Sequence, residues 1–226
     1  NDSTSSFNDP LFYIYHDAGD LVIYHGLPGL NYYYKTNQLF RDVAAWYHIV
    51  LAWDTTQATG SNRVKLWING EAVTSWSVYN DWPQNTDTIL NGTDSNNVIG
   101  AAYGQNSAGE ISGEQIGYIA EAYLLDGTAK VATDFGETDS ATGQWIPKET
   151  EFTSSEYGTN GFYLPFKKND RYGTYFDGST STGITTPDHA DFSLGTNNFT
   201  IEAWIYVDQD AGATRYISGQ GNSTGA

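Results

Sequence analysis

The stretch WYHIVLAWDTTQATGSNRVKLWINGEAV, Trp46 to Val73, reads as antiparallel sheet. Two runs of β-branched, aromatic and aliphatic residues, Trp46 to Trp53 and Arg63 to Ile68, flank the polar loop Asp54 to Asn62, and the second run closes on Asn69-Gly70. Asn-Gly supplies the positive φ angles of a two-residue type I′ turn, which matches strand twist. Glu71 to Ser77 is therefore expected to fold straight back on Arg63 to Ile68. Alternation puts Val64, Leu66 and Ile68 on one face and Arg63, Lys65 and Trp67 on the other. One face of this sheet belongs to a core.

Outward from that hairpin, the same patterns recur. Leu11 to Tyr15 and Leu21 to Tyr24 read as strands joined by His16-Asp17-Ala18-Gly19-Asp20, and Leu30 to Tyr34 as a further strand on which Tyr32, Tyr33 and Tyr34 cannot all face one side. Tyr79 to Asn97 is a long polar excursion with a short strand expected at Thr88 to Leu90. Ile116 to Leu125 reads as a strand with Ala120 and Ala122 on one face. Gly127 to Asn169 is rich in Gly, Pro and Thr, an ordered connection pinned by Phe135, Trp145 and Phe162. In Phe199 to Val207, Ile201, Ala203, Ile205 and Val207 alternate with Thr200, Glu202, Trp204 and Tyr206, so both faces are filled.

Composition narrows the function classes. Tyr 17, Trp 7, Phe 10 and Gly 24 in 226 residues fit an all-β protein with many turns. A net charge of -17, from Asp+Glu 27 against Lys+Arg 10, argues against nucleic acid and against an anionic membrane surface. The acids are scattered, which reads as solubility or adaptation to salty surroundings. With Cys 0 there is neither disulfide nor thiolate metal site. With Met 0 and Asn1 first, the sequence reads as a processed product or an excised piece. No apolar run is long enough for membrane insertion as a helix.

Several stretches carry a resemblance. Trp46-Tyr47-His48, an acidic loop and a strand ending in Asn69-Gly70-Glu71 resemble the middle hairpins of laminin-G-like (concanavalin A-like) lectin domains. Ile99-Gly100, a polar loop and Gly117 to Gly127 are similar to the closing strand pair of that superfamily. Tyr175-Phe176-Asp177-Gly178, Phe192-Ser193-Leu194-Gly195 and Phe199 to Val207 are similar to its opening strands. The family order is permuted: the ending comes first. The resemblance implies an all-β, antiparallel two-sheet jelly-roll sandwich with three parts. Residues 1–126 form the main body, 127–170 the connector, and 171–226 the opening strands, which complete the same domain or one in a neighbouring chain. A slice through a tandem array is the alternative. The connector, through Asp134-Phe135-Gly136-Glu137, Thr142 to Pro147 and Tyr157 to Leu164, resembles those of tailed-bacteriophage structural proteins bearing such modules.

That likeness implies a non-enzymatic structural and adhesive module on a virion, a phage fibre or capsid decoration. Its partners would be copies of itself, other virion proteins and host-surface glycans. An extracellular carbohydrate-binding lectin domain of a bacterial adhesin is the competing reading, and a glycoside hydrolase a third. A retaining hydrolase needs carboxylates about 5 to 5.5 Å apart. Glu137 with Asp139 and Asp208 with Asp210 are the nearest pairs, and both sit among turn residues. Gly221 to Gly225 spells a nucleophile elbow without its strand and helix. His16, His25, His48 and His189 lack zinc spacing, and His48 reads as a structural strand residue. No cofactor is called for. Calcium is the one candidate, through Asp87, Asp94, Asn96, Asn97, Asp208 and Asp210, although none has EF-hand spacing. Four Asn-x-Ser/Thr sites, at Asn1, Asn91, Asn198 and Asn222, carry no meaning in a bacterial host. For stacking on pyranose faces, the candidates are Tyr32, Tyr34, Trp76 and Trp82.

Overall fold

The computed structural model describes residues 11–27, 30–42, 45–88, 90, 95–103, 111–168, 171–172, 174–177, 183–186, 198–207 and 215–222. The first half contains β1 (Leu11–Asp17), β2 (Asp20–Leu27), β3 (Leu30–Leu39), β4 (Trp46–Trp53), β5 (Val64–Ile68), β6 (Glu71–Ala72), β7 (Trp76–Tyr79), β8 (Ser95–Ile99), β9 (Ala102–Tyr103) and β10 (Ile111–Ser112). The second contains β11 (Ile116–Asp126), β12 (Gly136–Thr138), β13 (Trp145–Pro147), α1 (Ser154–Tyr157), β14 (Phe162–Leu164), β15 (Lys167–Lys168), β16 (Arg171–Tyr172), β17 (Thr174–Asp177), β18 (Ile184–Thr186), β19 (Phe199–Val207) and β20 (Arg215–Asn222).

Two antiparallel sheets carry the fold. One runs β18-β8-β20-β1-β2-β3-β7 and the other β14-β11-β19-β4-β5-β6, with β17 beside the start of β11. The strands nearest the C-terminus are central. β19 pairs with both β11 and β4, and β20 with both β1 and β8, all within this one chain.

The inner faces meet in a core centred on Trp53, fully buried. Its indole stacks on Phe199 at 5.9 Å and meets Tyr34 and Trp82 edge-on at 5.5 and 5.3 Å. Around it sit Phe12, Ile14 and Ile23 from the first sheet and Leu51, Leu66 and Ile205 from the second, all at or below 1% exposure. Burying these rings supplies the main driving force, roughly 1.5–3 kcal/mol per large side chain.

The Asn69-Gly70 turn forms as the sequence predicts, with φ of 49° and 82°. Past the turn, the path departs from the expected hairpin. Glu71 and Ala72 pair back on β5 and Val73 N–H donates to Leu66 O at 2.8 Å; the chain then crosses to the other sheet, where β7 joins β3. Packing explains the crossing, because Trp76 and Tyr79 both meet the Tyr34 ring. The first hairpin is tighter than expected, with Asp17 paired to Asp20 across Ala18-Gly19. Thr88 and Leu90 are buried outside any strand. Ala120 and Ala122 lie on opposite faces, because Glu121 takes φ 53° in a bulge that shifts the β11–β19 register. One added residue reverses the alternation. Ile119, Ala122 and Leu124 therefore join the inter-sheet core, while Tyr123 and Leu125 face outward.

The connector lies on the outer face of the second sheet. Phe135 is 2% exposed and packs with Val50, Tyr123 and Leu125, joined by Trp145, Phe152, Tyr157 and Tyr163. A capping box between Thr153 and Glu156 starts α1, and Lys130 holds Glu156 at 2.9 Å. Phe162, expected to pin the connector, faces the inter-sheet core instead, because β14 pairs edge-on with β11.

Candidate functional site

The outer face of the second sheet collects the chain's most distinctive groups. Register places Trp204 of β19 beside His48 of β4, and Tyr206 beside Trp46. On the other side of β19, Tyr118 of β11 lies beside Tyr206. Two layers result, one sealed by the connector and one open.

The sealed layer is a stack of rings. His48 lies between Trp145 of the connector at 5.8 Å and Trp204 at 4.7 Å, both within 26° of parallel. Trp145 fits there because it lies against two glycines; a Cβ at Gly70 would meet its ring at 2.5 Å, and one at Gly136 at 2.6 Å. Its Nε1–H donates to His48 Nδ1 at 2.8 Å. Indole is only a donor, so Nδ1 carries a lone pair and the imidazole is neutral with its proton on Nε2. That nitrogen approaches Glu202 Oε1 to 2.8 Å, off the in-line direction of a full hydrogen bond.

His48 and Glu202 are 0% and 1% exposed. Burial pulls His48 down to about 3, and burial followed by the charge of Glu121 raises Glu202 well above the carboxylate range. Both directions favour neutral groups, so this contact is not an ion pair. Tyr163 bonds both Tyr123 and Glu121, and burial is the first cause raising both tyrosines. Sealed from solvent, His48 and Glu202 cannot exchange protons with a substrate; they fasten the connector to the sheet.

The open layer is Trp46, Tyr118 and Tyr206, all half-buried. Their centroids are 5.7 Å apart for Trp46–Tyr206, 5.9 Å for Tyr118–Tyr206 and 6.5 Å for Trp46–Tyr118. Three rings on adjacent strands cover roughly 10 Å across the sheet. The arrangement offers flat apolar faces rimmed by hydroxyls, which suits ligands with one apolar face and polar edges.

The residues expected to stack on sugars are scattered. Tyr34 and Trp82 are 0% exposed in the core, a correction: Tyr34 packs on Trp53, and Trp82 donates its Nε1–H to Thr86 O. Burial leaves neither ring a face to offer. Tyr32 is half-buried and packs on Trp82 at 4.6 Å. Trp76 is half-buried beside Tyr79 in a groove of about 430 Å³ where the edges of the two sheets separate, lined also by Lys65, Trp67 and Val73. Sequence reasoning missed the Trp46, Tyr118 and Tyr206 cluster. Alternation did place Trp46 with His48 and Tyr206 with Trp204, but the pairing of β19 with β4 was needed to join them.

Asp139 is a turn residue, its Oδ1 accepting from Ala141 N–H at 2.7 Å, and Glu137 is exposed on the β12–β13 hairpin. Among the described residues no group of three or more His, Asp or Glu is placed to hold a metal ion. Asp87 is exposed, and Asn97 is half-buried on β8. The side chains of Asp94, Asn96, Asp208 and Asp210 lie outside the described residues, as do His189 and most of the Gly221–Gly225 stretch. No helix among the described residues is long and apolar enough to cross a membrane. No protein-family profile, no curated protein and no solved structure matches this chain.

Proposed function

We propose that this chain is a laminin-G-like, concanavalin A-like jelly roll of permuted strand order. It serves without catalysis as an adhesive and structural module of a virion, a phage fibre or capsid decoration. In this reading it holds neighbouring virion proteins and contacts host-surface glycans. The observation that carries the adhesive part is the open cluster of Trp46, Tyr118 and Tyr206 on the outer sheet face. Three rings of one face, held by a hydrogen-bonded sheet, need no ordering before they meet a ligand, and rigid aromatics give large contact area at low entropy cost. The permuted order is supported by the central place of β19, which is one of the strands that resemble the opening of such a domain. The virion part rests on the wording of the connector alone.

A glycan array, read with and without calcium, tests the adhesive part. The wild-type chain is expected to retain a subset of sugars. Trp46→Ala and Tyr206→Ala are each expected to weaken binding about 2- to 13-fold, from roughly 0.5–1.5 kcal/mol per ring contact. Binding that survives the double substitution in a folded protein would remove the platform, and an empty array would remove the adhesive role. Reducing-sugar release lost on changing Glu137 and Asp139 would mark a hydrolase instead.

A further inference from the structure

The inter-sheet core is filled around Trp53 and opens at both edges of the sheets, in the groove beside Trp76 and at the opposite edge. Between β1–β3 and β4–β5, its side chains are at or near zero exposure. Between β8 and β18 on one sheet and β11 and β14 on the other, the layer holds a cavity of about 330 Å³. Ile99, Phe162, Leu164, Ile184 and Ile201 line it and all are only partly buried, so it communicates with solvent. Interiors are packed as densely as organic crystals, and the cost of empty apolar volume grows with its size. An apolar hollow of this size beside the filled centre of the layer calls for an occupant.

The lining specifies the occupant's chemistry. Apart from Asn97, Ser218, Tyr123 and Glu202, every lining residue is aliphatic or Phe. Tyr123 faces the connector and Glu202 faces His48, both on the outer side of their sheet. Nothing charged among the described lining points inward to meet a headgroup. Packed sheets lie about 10 Å apart, so the space admits one hydrocarbon chain in thickness. A dry cavity of about 150 Å³ takes one benzene ring, so about 330 Å³ accommodates roughly a dozen carbons. The two strands at its mouth, β14 and β18, are three residues each and are held by only a few ladder bonds. Short edges of this kind part more easily than the long central strands.

We infer that this cavity is a binding site for a single medium-length hydrocarbon chain, inserted between the sheets at the β14 and β18 edge with its polar end left in water. This site is independent of the aromatic cluster, on the opposite face of the second sheet.

The test uses straight-chain alcohols from six to sixteen carbons, displacing a fluorescent apolar probe from the purified full chain. At about 0.8 kcal/mol per buried methylene, affinity should rise about 4-fold per added carbon and level off near ten to twelve carbons. Ala203→Leu and, separately, Ala122→Leu each add three carbons to the space. Each should weaken binding of the ten- to twelve-carbon alcohols and bring the levelling-off to a chain about three carbons shorter, while thermal unfolding stays cooperative. If either fails to fold, Leu164→Trp at the mouth serves in its place. Phosphatidylcholine vesicles run in parallel separate a chain drawn from a bilayer from one taken free in solution. No displacement at any length, an affinity that climbs without levelling, or an unchanged affinity and plateau in a folded Ala→Leu variant would each overturn the proposal.

Discussion

His25 should make this protein sensitive to acid, and the size of the effect follows from its surroundings. The ring is 0% exposed, packed at 4.2 Å from Trp82, 5.6 Å from Trp53 and 5.7 Å from Phe12. Burial pulls its pKa from 6.5 to about 3, against a smaller opposing effect from a backbone hydrogen bond at Gly26. Above pH 6.5 the ring is neutral in folded and unfolded chains alike, and its full contribution to stability is present. As pH falls below 6.5 the unfolded chain takes a proton that the folded one refuses until about pH 3, so stability declines through that window. At about 1.4 kcal/mol per pH unit the complete loss is about 5 kcal/mol, with about 3 kcal/mol gone by pH 4. Attraction of the charged ring to Trp82 and its neighbours returns up to about 2 kcal/mol of the total. Urea unfolding followed by tryptophan fluorescence between pH 7.5 and 4 would measure it in wild type and His25→Phe. Phe fills the same aromatic pocket and does not titrate, so its stability should fall less steeply by about 1–3 kcal/mol at pH 4. His48 contributes to both curves and cancels in the difference. Parallel curves would refute the reasoning, because they would mean that the buried ring charges as readily in the folded chain as in water.

Glu202 should act with the opposite sign. Its folded pKa is raised, so stability is full below pH 4.5 and declines as pH rises toward the folded value, at about 1.4 kcal/mol per pH unit. Glu202→Gln should gain on wild type progressively as pH rises above 5 in denaturant titrations; a constant offset would count against this. Gly70→Ala should destabilise by about 1–3 kcal/mol, from overpacking against Trp145 and a left-handed φ of 82°. The penalty should shrink in a Trp145→Ala background, and a calorimetric double-mutant cycle showing no coupling would contradict the contact. Ending the chain after Asn169 removes β16 to β20 and, with β19 and β20, leaves β4, β11, β1 and β8 without their central partners. The product should lose its cooperative urea transition, and an unchanged transition would show that the sandwich does not depend on its last strands.

Much of this fold was legible in alternation and turn chemistry. The Asn69-Gly70 hairpin, the inward set Val64, Leu66 and Ile68, and the two filled faces of Phe199 to Val207 follow from period-two patterning and from what Gly and Asn permit. These are local properties, decided by residues within a few positions of one another. The position of β19 between β11 and β4 is not local; the sequence showed two saturated faces but not their neighbours. The Glu121 bulge was hidden too, since one residue in a left-handed conformation leaves no mark in a hydrophobic pattern and yet reverses every side chain after it. The aromatic candidates illustrate the same division. Tyr34 and Trp82 were visible as rings near loops, but whether a ring faces water depends on what packs above it, and Trp53 and Phe199 arrive from strands far away in the chain. Sequence alone determined which residues share a face of each strand. Only the tertiary structure decided which faces were sealed, because the connector's Trp145 and Phe135 cover His48 and Val50 and stop short of Trp46, Tyr118 and Tyr206.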